Sequence, residues 1–328
     1  MKPTSYKPLL PIFLIYTLLI LIAVTIPGMW QPVAFFMFYI ALGQAFNIFM
    51  GLTGYVDFGY VAFLGLGAYG MAIAIKYFSF FGLISIVIGI LLAVVMSTML
   101  SIVVGAVALR LRGAYFAIAT IGVNEGFRYL IEGVRLWGGS EGIVLSGLMR
   151  RTFGRETANL LSTFLSDILI IAIALLAAMT TIWILNRKIG YALLALREDE
   201  DAARVMGINV TKYKILAFIT SASFAGLIGA VAWTLKLTYV FPEDVFNIHY
   251  TVEAIVIVML GGAGTLLGPV VGGLIYGILK YYLSVVFPGI QLLILAPMLI
   301  LTIIAFPEGV VGFIKKKWKK SRISIYLR

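Results

Sequence analysis

Residues 82–106 read GLISIVIGILLAVVMSTMLSIVVGA, without one charged side chain. A helix of about 20 apolar residues spans the hydrocarbon core of a bilayer. Lipid gives backbone groups no hydrogen-bond partners, so such a run is expected to be a transmembrane helix. Working outward, the same reading gives spans at 9–26, 33–50, 57–75, 114–131, 166–186, 215–235, 251–264, 267–286 and 290–306. The pair 251–264 and 267–286, broken by Gly261-Gly262-Ala263-Gly264, reads either as two spans or as one kinked span. The expected fold is an all-α polytopic membrane protein of about ten transmembrane helices, a single transmembrane domain over 1–328. The whole composition agrees. The 328 residues are 62% hydrophobic and 12% charged, with mean hydropathy +1.07. Soluble chains run nearer half apolar and about a quarter charged. A soluble globular enzyme and a disordered chain are both excluded.

The placement of charge sets the expected topology. With the N-terminus inside, inner segments hold Lys2 and Lys7, Arg110 and Arg112, six basic residues between 187 and 214, and seven between 315 and 328, which is 17 of the 25. This favours N-in and C-in and an even number of crossings. It also assigns the net charge of +11 to topology and anionic lipid, with no nucleic acid as partner. The run Leu9–Ile26 is too long for a signal-peptide core, and Pro27-Gly28-Met29-Trp30 is a poor cleavage site, so it reads as a retained first span with Trp30 at the interface. Two excursions stand out: 132–165 outside and 187–214 inside. A basic cytoplasmic tail occupies 307–328.

Much chemistry is excluded by residue type. There is no cysteine, so disulfides, thiolate metal sites and thiol nucleophiles are impossible. The single histidine, His249, falls in an outer loop beside Glu243 and Asp244 and reads as a surface residue. No metal or cofactor is expected on this chain. No G-x-x-x-x-G-K-[ST] string occurs, so ATP hydrolysis is not expected here.

Charges read within spans are Asp57, Glu125, Arg128 and Glu253. Each costs about 2.5–3.5 kcal/mol on insertion scales unless paired or hydrated. Glu125 and Arg128 are i,i+3 and are expected to neutralise each other. Glu253, near a span end, is expected to reach the headgroups. Asp57 lies in a glycine break, GLTGYVDFG at 51–59, and reads as a pathway residue or as an N-cap of the following helix. A second break, GGAGTLLGP, covers 261–269. Paired breaks point to an inverted internal repeat and a substrate pathway, or alternatively to close helix packing by small residues. Pathway candidates are Gly51, Gly54, Asp57, Glu125, Gly261, Gly262, Gly264, Thr265, Gly268 and Pro269.

The inner excursion, RKIGYALLALREDEDAARVMGINVTKYK at 187–214, predicts one helix over 191–206, stopped at Gly207. Arg197–Asp201 and Glu200–Arg204 are i,i+4 pairs of opposite sign. A rigid helix between two spans suits docking to a cytoplasmic motor, or simply a solvated connector. Asp201-Ala202-Ala203-x-x-x-Gly207 resembles the EAA-x-x-x-G signature of ABC importer permeases, with Asp for Glu. The string from Gly190 to Ala203 closely resembles the matching loop of branched-chain amino acid ABC permeases of the LivM type. Four other segments resemble that family in its order: 51–59, LRLRGAYFAIAT at 109–120, GGSEG at 138–142, and GGAGTLLGP at 261–269. Tyr55, Asp57 and Tyr60 depart from the family's usual residues.

The resemblance implies the permease subunit of an ATP-driven importer in the cytoplasmic membrane, carrying branched-chain or other apolar amino acids. It implies a homologous permease subunit, two cytoplasmic ATPase subunits that use the ATP, and an extracytoplasmic solute-binding protein. Coupling to the ATPase would fall on Arg197, Glu198, Asp199, Glu200, Asp201, Ala202, Ala203 and Gly207. Alternatives are a urea or short-amide permease of the same family, and an ion-coupled secondary transporter using Asp57 and Glu125. An intramembrane enzyme has no residues to work with.

Overall fold

The computed structural model describes residues 9–134, 137–290, 293, 296–297, 300, 304 and 308–317. The order is α1 (Leu9–Thr25), α2 (Trp30–Thr53), α3 (Tyr60–Tyr77), α4 (Ile84–Ala108), α5 (Ala114–Gly133), β1 (Ile143–Val144), α6 (Ser146–Phe153), α7 (Arg155–Leu160), α8 (Ser166–Leu185), α9 (Lys188–Glu198), α10 (Glu200–Val205), α11 (Val210–Gly229), β2 (Tyr239–Val240), α12 (Pro242–Val245), α13 (His249–Gly261), α14 (Gly268–Val286) and α15 (Gly309–Lys317). A π-helical stretch, Leu161–Leu165, joins α7 to α8, and another, Ala230–Leu237, extends α11.

Seven helical runs among the described residues are long and apolar enough to cross a membrane: α2, α3, α4, Arg155–Leu185, Val210–Leu237, Pro242–Gly261 and α14. The expected ten are therefore not all reproduced by length and hydropathy. α1 is apolar but short, and α5 carries Glu125, Arg128 and Glu132. Most of the span expected at 290–306 lies outside the described residues, as do Lys2, Lys7 and the tail beyond Lys317. The uncertain pair resolves into two helices, α13 and α14, separated by 262–267. The first break is narrower than expected: Gly51 is still helical, and α2 ends in Gly54, left-handed at φ 77°, whose N–H bonds the Met50 carbonyl at 2.9 Å.

The chain divides into two compact units. The first comprises Met1–Gly54, Ala174–Ile208 and Glu253–Arg328. Its centre is α2 against α14, where glycines let backbones approach. A side chain at Gly273 would come within 2.7 Å of the Ile40 backbone. Tyr39 and Tyr276 pack ring to ring at 5.1 Å beside this contact.

The second unit comprises Tyr55–Ile173 and Asn209–Val252. Here α3 is buried by α4 and α11. Gly67 sits on the Gly226 backbone, and Gly70 is held 2.9 Å from the Ala93 nitrogen by the same measure. Hydroxyls stitch the helices: Ser97 donates to the Phe63 carbonyl at 3.0 Å, and Thr234 to the Ala68 carbonyl at 2.8 Å. α4 buries Ala93, Ser97, Leu100 and Val104 on one face and exposes Leu91, Met99, Val103 and Val107 on another. A helix apolar on its exposed face suits hydrocarbon and not water. The expected outer excursion contains β1, paired antiparallel to β2 with Ile143 opposite Val240.

Candidate coupling and translocation site

The second glycine break belongs to the first unit. α13 stops at Gly261, and Gly262 and Gly264 take φ of 119° and 75°. A non-helical loop among apolar helices must have its backbone groups satisfied. Two buried amides of α2 do this. Asn47 Oδ1 accepts from Gly264 N–H at 2.9 Å, and its Nδ2 donates to the Thr265 carbonyl at 3.1 Å. Gln44 Nε2 donates to the Leu266 carbonyl at 3.1 Å. Thr265 Oγ1 closes the turn, donating to the Gly262 carbonyl at 2.7 Å and accepting from Gly268 N–H at 3.0 Å. Pro269 then starts α14 where no N–H is needed. Gly51, Gly261, Gly264 and Gly268 all sit where another backbone or side chain touches them. A Cβ at any of the four would collide with a neighbour, so the packing alone already requires glycine there. Gln44 and Asn47 were missed from sequence. Two amides three residues apart inside an apolar helix are the signal that points to them.

Arg197 reaches the same loop. Its Nη1 donates to the Gly51 carbonyl at 2.7 Å and to the Ala263 carbonyl at 3.3 Å. The expected Arg197–Asp201 pair is not made. Asp201 lies 3.9 Å from Arg204 instead, and the Glu200–Arg204 pair forms at 3.1 Å. Gly51 is in the last turn of α2, Ala263 lies just beyond α13, and Arg197 is in the last turn of α9. A cation at each such helix C-terminus contributes about 0.3–1 kcal/mol at an exposed position.

The helix expected over 191–206 is broken. Asp199 leaves helical geometry at φ −154°, ψ 114°. Its Oδ1 accepts from Asp201 and Ala202 N–H, both at 2.9 Å, and so caps α10. An acidic run that reads as helix-forming thus supplies its own stop and restart. Gly207 ends α10 at φ 82° as expected, whereas Asn209 caps α11 by accepting from Lys212 N–H at 3.1 Å. Leu193, Leu196 and Ala203 are buried beneath the two helices. Glu198 and Ala202 are exposed, and Val205 and Met206 are 87% and 83% exposed at the tip.

Glu253 does not reach headgroups. It is 1% exposed, accepts from Tyr276 Oη at 2.9 Å, and pairs with Lys280. α13 and α14 are thereby tied by a buried ion pair, because the two side chains lie on facing helices. Lys280 was overlooked in the sequence as a charge inside a span.

In the second unit Asp57 is 1% exposed. Oδ1 accepts from Gly59 N–H at 2.9 Å in an Asx turn just before α3. Gly59 itself is the N-cap of α3, without a side-chain cap bond, so Asp57 is not the N-cap expected as an alternative. Oδ2 has no hydrogen-bond partner among the described residues. Thr120 Oγ1 accepts from Phe58 N–H at 3.1 Å and donates to the Ala117 carbonyl at 2.8 Å. Nearby, Lys214, 1% exposed, stands 3.9 Å from the centre of the Tyr55 ring. Glu125 and Arg128 pair at 2.8 Å as expected, and Arg128 also lies 3.7 Å from Glu132. A further ion pair, Lys236–Asp167, was not anticipated. His249 opens α13 and is half-buried.

The chain matches the model of a family described as branched-chain amino acid transport system / permease component over residues 29–303. It is 31% identical over 311 residues to the high-affinity branched-chain amino acid transport system permease protein LivM of Salmonella typhimurium, covering 86% of this chain and 70% of that one. The Escherichia coli protein of the same name is 30% identical with the same coverage. The E. coli permease protein LivH is 24% identical, over 84% of this chain and 91% of its own. No solved structure matches at a significant level. With most of its length matched, the chain belongs to the branched-chain amino acid transport system permease family.

Proposed function

We propose that the chain is the permease subunit of an ATP-driven importer that carries branched-chain or other apolar amino acids across the cytoplasmic membrane. The observation that carries this reading is the α9–α10 segment. It is anchored from beneath by Leu193, Leu196 and Ala203, and it presents Val205 and Met206 almost bare among charges. Exposed apolar side chains on a well-seated, charged element suit a protein partner. ATP would be used by two cytoplasmic ATPase subunits gripping that segment. A homologous permease would complete the pore, since relatives named LivM and LivH occur together in one organism. An extracytoplasmic binding protein would deliver the solute.

Topology supports the same reading. Arg197 holds the C-terminal ends of α2 and α13 at the end of the first unit where α9 lies. Passing from Thr53 to Lys188 then takes an even number of crossings. α3, α4 and Arg155–Leu185 supply three, so α5 is the fourth in this reading, its charges paired along the helix. Adding α1 and the span expected from sequence at 290–306 would bring the count to ten, with both termini inside.

Purification from mild detergent should bring down an ATPase with the wild-type chain. Met206→Asp should release it while the permease stays folded. A wild-type chain that purifies alone and still transports would defeat the proposal. Asp57, buried with one oxygen unused, is proposed to line the solute path. Asp57→Ala should cut uptake by about tenfold to a hundredfold, the roughly 1.5–3 kcal/mol of a charged hydrogen bond, with the ATPase still bound. Normal uptake would remove Asp57 from the path.

A further inference from the structure

We propose that Arg197 is the positioning residue that transmits movement of the α9–α10 segment to the glycine loop 262–267. This rests on the permease reading above and adds the route by which a cytoplasmic pull reaches the membrane helices. The loop is gripped on one side by Gln44 and Asn47 of α2. On the other side it is held by the Arg197 guanidinium, which spans the Ala263 and Gly51 carbonyls. One side chain of α9 thus touches both the loop and the end of the helix that clamps it.

The surroundings are shaped for that side chain. A Cβ at Gly264 would land on Arg197 Nη1 and lie 2.6 Å from the Gly51 carbonyl oxygen. A Cβ at Gly54 would lie 3.4 Å from Arg197 Cγ. Both glycines have positive φ, so both the space and the backbone disfavour any replacement. Both bonds come from one nitrogen, Nη1, whose two N–H groups can serve one acceptor each. α9 itself is tightly joined to α8: Gly190 N–H bonds the Arg187 carbonyl and Arg187 N–H the Ile184 carbonyl, both at 3.0 Å. A swing of α9 therefore loads the Arg197 contacts and not a slack linker.

The test uses the purified complex with its ATPase, reconstituted in liposomes. Arg197→Met keeps an unbranched stem and removes the donors. Its ATPase should stay bound and hydrolyse ATP, while solute moved per ATP falls by about tenfold, the factor expected for one charge-assisted hydrogen bond. Arg197→Lys should recover part of that loss. A single cysteine at Ala263, in a chain that has none, gives an independent readout in the otherwise wild-type complex. Its reaction rate with an impermeant maleimide should differ about fivefold or more between ATP-trapped and nucleotide-free states, the low end of typical coupling factors. Unchanged transport per ATP in Arg197→Met, or a labelling rate at 263 indifferent to nucleotide, would overturn the proposal. Loss of the ATPase from Arg197→Met would also overturn it, by making Arg197 a docking residue. Absence of the ATPase from the wild-type complex would instead overturn the permease reading beneath it.

Discussion

Lys280→Met is expected to destabilise the chain by about 3–5 kcal/mol, the cost of leaving one member of a buried ion pair alone. Glu253 is almost wholly enclosed, so its charge is screened little by water. Removing the ammonium leaves a buried carboxylate that still accepts from Tyr276. Glu253 and Lys280 both belong to the first unit, so the loss is local to its packing. Pairing the change with Glu253→Gln should restore most of the stability, because replacing both partners of a buried pair is often close to neutral. Thermal unfolding in detergent, followed by size-exclusion fluorescence, reads both variants. A Lys280→Met chain within about 1 kcal/mol of wild type would show that the pair carries little, as exposed pairs do.

Gly264→Val is expected to abolish uptake. The residue holds φ at 75°, where a β-branched side chain is strained by about 1–3 kcal/mol before any contact is counted. Its Cβ would also displace the Arg197 guanidinium and crowd the Gly51 carbonyl oxygen. Loop placement and the Arg197 contacts would be lost together. Gly122→Ala is the matched control. Nothing lies within 4 Å of a Cβ there, and it sits inside α5, where alanine gains up to about 1 kcal/mol over glycine. Transport assays on both, at equal membrane levels, check the pair. Normal uptake by Gly264→Val would mean that the loop is not held as described.

The membrane helices were legible because hydropathy over twenty residues is a strong signal, and 82–106 differs from α4 only at its ends. The glycine breaks were legible as breaks, yet their purpose was not. What stands beside Gly51 or Gly268 depends on what the fold brings there: the Asn47 side chain and Gly264 backbone for the first, the Gly262 carbonyl and Thr265 hydroxyl for the second. The Glu125–Arg128 pair could be read because helical spacing puts its members on one face. Lys280 with Glu253 and Lys236 with Asp167 could not, since each pair joins two different elements whose packing helical spacing does not give. The break at Asp199 turned on a competition between a continuing acidic helix and a carboxylate capping its own N–H groups. Arg197 had an apparent local partner in Asp201, but two helix C-termini, remote in sequence, took its guanidinium.

ATP-dependent uptake in proteoliposomes tests the central claim most directly. Vesicles carrying this chain with its copurifying permease and ATPase, supplied with the binding protein and a branched-chain amino acid, should accumulate solute only when ATP is present on the side of α10. Collapse of proton and sodium gradients should leave that accumulation intact. Uptake by the chain alone, indifferent to ATP and abolished with an ion gradient, would contradict the account.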